Sequence, residues 1–98
     1  MSKVIKKNQS KQIDEKQELI VQELTDVFNH IGYTVRIEKG LFKGGFCLLR
    51  EQKLFLLNKN IETPKKISIL AKNLSELEID NIFIKPNIRE LIERESAK

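Results

Sequence analysis

The sequence predicts an α+β domain with elements in the order α-β-β-β-α-α and a three-stranded, mainly antiparallel sheet packed against helices. Three observations carry this. Apolar residues from Ile13 to Ile31 recur at the spacing of one helix face. Residues 33–38 alternate apolar and polar without a break. Residues 46–57 hold two apolar runs, Phe46 to Leu49 and Leu54 to Leu57, joined by the polar tetrad Arg50-Glu51-Gln52-Lys53, which reads as a β-hairpin.

Taken in order, residues 1–11 are polar, basic and aperiodic and are expected to form a disordered tail, leaving residues 12–98 as a single domain. A first helix starts near Gln12. It turns Ile13, Ile20, Leu24, Val27, Phe28 and Ile31 to one side, carries Asp14, Glu15 and Glu18 in its early turns where the helix dipole favours acids, and stops at Gly32. Tyr33, Val35 and Ile37 then face one way and Thr34, Arg36 and Glu38 the other, as in a half-buried strand. Residues 39–45 form a glycine-rich connection whose Leu41 and Phe42 are expected to tuck inward. The hairpin strands are apolar on both faces, so both faces need cover, from the C-terminal segment or from a second chain. Thr63-Pro64 opens a second helix, with Thr63 as cap and Pro64 in the first turn. Ile67, Leu70, Ala71, Leu74 and Leu77 form its apolar stripe, and its end is expected near Glu78. Ile82, Phe83 and Ile84 lie in a short extended or looped segment. Pro86 then begins a last helix to about Glu95, with Ile88, Leu91 and Ile92 inward.

Composition bounds the function. Ninety-eight residues with 40% hydrophobic and 33% charged residues make one ordinary globular domain. A single cysteine, Cys47, excludes an intramolecular disulfide and any multi-cysteine zinc site. The N-terminus lacks the apolar core of a secretory signal, and no apolar run reaches the roughly 18 residues of a membrane span, so a cytoplasmic protein without membrane contact is expected. The net charge of +4 is unevenly spread. Lys3, Lys6, Lys7 and Lys11 make the tail basic, residues 12–35 are acidic in sum, and residues 36–72 are basic again.

The order of helix, three strands and helix resembles the core of the ImmA/IrrE-type zinc metallopeptidases over residues 17–77. The likeness is sharpest at Ile69-Leu70-Ala71-Lys72-Asn73-Leu74-Ser75-Glu76-Leu77, where those enzymes carry Ala-His-Glu-Leu-Gly-His. Ala71 and Leu74 match. Lys72 stands where the first histidine ligand falls, Asn73 at the catalytic glutamate and Glu76 at the second histidine. Zinc needs neutral imidazoles at that spacing and the attacking water needs a carboxylate base. The resemblance therefore implies a related fold without zinc and without peptidase chemistry.

No other catalytic constellation stands out. His30 is the only histidine. A Cys47–His30 nucleophile and base pair would join a mid-strand residue to a helix end with no signature linking them, and Cys47 is better read as a small apolar residue. Gly40, Gly44 and Gly45 lead into a strand rather than a helix, which suits hairpin or bulge glycines over a phosphate loop. No cofactor or metal is expected.

Two uses remain. Surplus apolar side chains on the hairpin, Cys47, Leu49, Phe55 and Leu57, are the candidate face for a protein partner or a second copy of the chain, which would make this a non-enzymatic interaction or adaptor domain. The alternative is a nucleic-acid-binding accessory protein contacting phosphates through Lys3, Lys6, Lys7, Lys11, Arg36, Lys39, Lys43, Arg50 and Lys53, on the premise that the strand-end cations share one rim. No tryptophan and few aromatics are available for a base-stacking platform.

Overall fold

The structure is a computed structural model that describes the backbone of residues 2–40 and 43–98, and side chains from Glu15 to Gly40 and from Gly44 onward. The elements are α1 (Ser2–His30), β1 (Thr34–Glu38), a 3-10 turn (Lys43–Gly45), β2 (Phe46–Leu49), β3 (Leu54–Asn58), α2 (Thr63–Ser75) and α3 (Pro86–Ser96). The predicted α-β-β-β-α-α order is the observed one. Leu41 and Phe42, expected to point inward, lie outside the described residues.

Helix α1 begins at Ser2, whereas a disordered tail was expected over residues 1–11. Residues 2–11 lack an apolar period, but they contain neither glycine nor proline to break a helix that the following turns nucleate. The far end is closed by a Schellman arrangement. The Tyr33 N–H donates to the Phe28 carbonyl at 2.9 Å and the Gly32 N–H to the Asn29 carbonyl at 3.0 Å. Gly32 takes the left-handed conformation this requires, with φ +92°.

The sheet has the order β1-β3-β2, so the last strand in the chain is the central one. β1 runs parallel to β3, with Val35 opposite Phe55 and Ile37 opposite Leu57. β2 runs antiparallel to β3, with Phe46 opposite Leu57 and Leu48 opposite Phe55. The sheet is therefore mixed, with one pairing of each kind. The antiparallel hairpin follows from the short turn at residues 50–53. The parallel pairing places β1 on the free edge of β3, which the sequence left open.

The helices form a layer on one face of this sheet, with α1 packed on β1, α2 on α1, and α3 on α2. Phe55 and Leu57 of β3, Leu24 and Phe28 of α1, and Leu70, Ala71 and Leu74 of α2 are shut off from solvent, and Ile88 and Ile92 of α3 close the layer. Their burial supplies most of the driving force for folding. Helix α2 lies between α1 and α3. It starts one residue earlier than expected: Glu62, in an extended conformation and without a side-chain cap, precedes Thr63, and the helix stops at Ser75 rather than near Glu78. Leu77 and Ile79 still reach the core from the loop that follows.

Candidate functional site

Two features outside the core are built well enough to be functional: the outer face of the sheet and a pocket at the C-terminal end of α1.

The outer face follows from hairpin register. A four-residue turn pairs Leu49 with Leu54 and Cys47 with Leu56. Directly opposed residues share a face, so Cys47, Leu49, Leu54 and Leu56 stand together, opposite to Phe46, Leu48, Phe55 and Leu57. This corrects the predicted interaction face. Cys47 and Leu49 do lie on the open side, but Phe55 and Leu57 are fully buried beneath the helices. Grouping all four would need a turn one residue longer or shorter, because a one-residue shift exchanges the faces of a strand. The expected cover from the C-terminal segment goes elsewhere, since residues 79–92 complete the helix layer. None of Cys47, Leu49, Leu54 and Leu56 is among the side chains packed against the core, and each is half-buried. On the β1 flank of this patch Arg36 pairs with Glu38 at 2.9 Å.

Of the predicted cations, the described Lys39, Arg50 and Lys53 lie at two different ends of the sheet. Arg50 and Lys53 occupy the β2–β3 turn beside the start of β1, where the Lys53 ammonium lies 6.0 Å from the Tyr33 ring centroid. Lys39 follows the other end of β1. A five-residue strand separates the two groups by roughly 16 Å. Arg36 is held by Glu38. The side chains of Lys3, Lys6, Lys7, Lys11 and Lys43 lie outside the described residues.

Cys47 and His30 are not brought together either. Cys47 faces outward from β2, while His30 ends α1 on the helical side of the sheet. The positions aligned with the metallopeptidase motif are engaged in holding the end of α2. Lys72 donates to the Lys98 backbone carbonyl at 3.3 Å, and buried Asn73 donates back to the Ile69 carbonyl at 2.9 Å. Glu76 caps the helix through its backbone N–H. No group of three or more acidic, histidine or cysteine side chains able to hold a metal occurs among the described residues. No helix there is long and apolar enough to cross a membrane.

The pocket has a volume of about 300 Å³ and lies between the last turns of α1 and the segment leading into α3. Glu23, Asp26, Val27 and His30 come from α1, and Phe83, Ile84, Lys85 and Ile88 from the other wall. Glu23 Oε1 accepts from the Lys85 ammonium at 3.2 Å, while Oε2 is buried with no donor. His30 Nδ1 lies 2.8 Å from the Asp26 carbonyl oxygen, an acceptor, so Nδ1 carries a proton and donates it there. Phe83 is 85% exposed, the most exposed large apolar residue described. Sequence reading missed this pocket. Glu23 and Asp26 look like ordinary surface acids of an amphipathic helix, and their role depends on a segment some 60 residues away.

Fold and site thus define an α+β domain with helices on one side of a small mixed sheet and half-buried apolar side chains of the hairpin on the other. Comparison with protein-family models, curated proteins and solved structures finds no match for this chain.

Proposed function

We propose that this chain is a non-enzymatic interaction module that pairs with a second copy of itself through the outer face of the sheet. The observation that carries the reading is the set Cys47, Leu49, Leu54 and Leu56, apolar, half-buried and outside the described core, on a strand pair whose other face carries the buried Phe55 and Leu57. A small apolar sheet face of this kind can serve a weak association. Self-association suits the flank, where Arg36 and Glu38 place one charge of each sign side by side. A twofold axis running across the strands between these two residues would set each against its opposite. The non-catalytic part of the reading is supported by the separation of His30 from Cys47 across the sheet.

The expected strength follows from size. Three strands at about 4.8 Å spacing and five residues at about 3.3 Å give a face of roughly 16 by 14 Å. That is well under the roughly 800 Å² per partner of a standard interface, so the pairing is weak and reversible. Sedimentation velocity over a range of protein concentrations tests it. The parent chain should move toward twice the monomer mass as concentration rises, and Leu56→Lys should stay monomeric with unchanged circular dichroism. A parent that remains monomeric at every concentration sinks the proposal.

The nucleic-acid reading draws less support from the described residues, because Arg50 and Lys53 stand at one end of the sheet and Lys39 at the other.

A further inference from the structure

We infer that the pocket between α1 and residues 83–88 binds a primary alkylammonium group, with the Glu23 carboxylate as its anchor and the apolar walls around its carbon stem. The inference is independent of self-association through the sheet, which uses a different surface.

The first argument is the unpaired oxygen. A buried carboxylate oxygen without a donor is costly, and an added N–H donor relieves that cost. Glu23 has one donor, Lys85, and leaves Oε2 with none. The two partners are held very differently: the Glu23 side chain is 17% exposed and Lys85 63%. Lys85 is therefore a loosely fixed arm over a fixed carboxylate. An incoming ammonium, with three N–H groups, can replace it at Oε1 and, with the Lys85 arm displaced, turn a second N–H toward Oε2.

The second argument is the sign and shape of the lining. Glu23 and Asp26 bring two acidic residues to the wall against the single ammonium of Lys85, with the Asp26 carboxylate also accepting from Gln22 at 3.0 Å. The lining thus favours a donor and a positive charge and repels an anion. A purely apolar guest would leave Oε2 unpaired. Val27, Ile84 and Ile88 form the apolar floor, and the exposed Phe83 ring stands at the rim, where aromatic faces attract cations. A volume of about 300 Å³ lies at the small end of ligand sites, which matches a short stem rather than a nucleotide.

The test is a titration of the 15N-labelled full chain with n-butylammonium chloride, followed by amide shifts, with sodium pentanoate at equal ionic strength as the charge-inverted control. Saturable shifts at Val27, His30 and residues 83–88 are expected with the amine and not with the carboxylate. Glu23→Gln should weaken amine binding about tenfold, the size of one charge-assisted hydrogen bond. Lys85→Met removes the internal competitor and should tighten it about two- to fivefold, as expected for a largely exposed ion pair. Equal shifts with both probes, or no saturable shift with the amine, overturn the inference. So does a Lys85→Met chain that binds no better than the parent, and this arm decides the matter if Glu23→Gln does not fold. Nα-acetyl-lysine methylamide, titrated in parallel, separates the sources of the group. Tighter binding than butylammonium assigns the pocket to a lysine side chain of a partner protein, and weaker binding assigns it to a free amine.

Discussion

The rings of Phe28 and Phe55 stack with centroids 4.8 Å apart and planes 14° from parallel, joining the last turns of α1 to the first half of the central strand. Tyr33 meets Phe28 edge-on at 6.1 Å, and Phe46 meets Phe55 at 5.8 Å. This four-ring cluster is where helix layer and sheet are locked together, and both central rings are fully buried.

Phe55→Ala should therefore cost about 3–5 kcal/mol, the range for truncating a buried phenylalanine. That is a large share of the roughly 5–15 kcal/mol available to a domain of this size. Its neighbour Leu56, facing the other way, should lose much less on truncation to alanine, about 1 kcal/mol. Urea unfolding of the two variants side by side checks the difference, and equal losses would contradict the assigned register.

Gly45 sits at φ +89°, and a Cβ there would overlap the end of the Ile61 side chain. Gly45→Ala should lose about 1–2 kcal/mol from the backbone conformation alone, with the overlap added. Ile61→Val removes the overlapping methyl, so the double variant should recover part of the loss and leave the backbone share. Thermal melts of the two single variants and the double variant separate these contributions.

Lys53 is the one non-glycine residue described with positive φ, at 51°. It closes the hairpin turn, its N–H donating to the Arg50 carbonyl at 3.2 Å and its own carbonyl accepting from the Thr34 N–H at 2.9 Å. Asparagine adopts this conformation readily and a β-branched residue does not. Lys53→Asn should leave stability within about 0.5 kcal/mol of the parent, while Lys53→Val should lower it by about 1–2 kcal/mol. Chemical denaturation is sufficient to see the contrast.

Element order was legible because each element announces itself locally. The spacing of Leu24, Val27, Phe28 and Ile31 marks a helix, Gly32 its end, and Thr63-Pro64 the start of another. What was not legible depends on residues distant in sequence. The parallel pairing of Val35 with Phe55 has no local signature. Nor does the choice of inner face, since Cys47 and Leu49 are about as apolar as Phe46 and Leu48. Alternation sorts these residues into two sets, but only the register at Leu49 and Leu54 shows which partners join each set. For that reason two of the four residues predicted for the interaction face, Phe55 and Leu57, lie in the core. The Glu23 pocket was hidden because its second wall comes from Phe83 to Ile88, where the sequence shows only a short apolar loop and a helix start.

The β1-β3-β2 order also sets a sequence of events during synthesis. β1 emerges first but its only neighbour is β3, so it waits through residues 39–53 with no strand to pair with. β2 waits as well, for the same partner. At the usual pace of about 5–20 residues per second, the interval lasts on the order of seconds. A nascent chain ending before Leu54 has no sheet at all, and one that has passed Asn58 can form both pairings from a single strand. The appearance of residues 54–58 is thus the step on which the whole β layer depends.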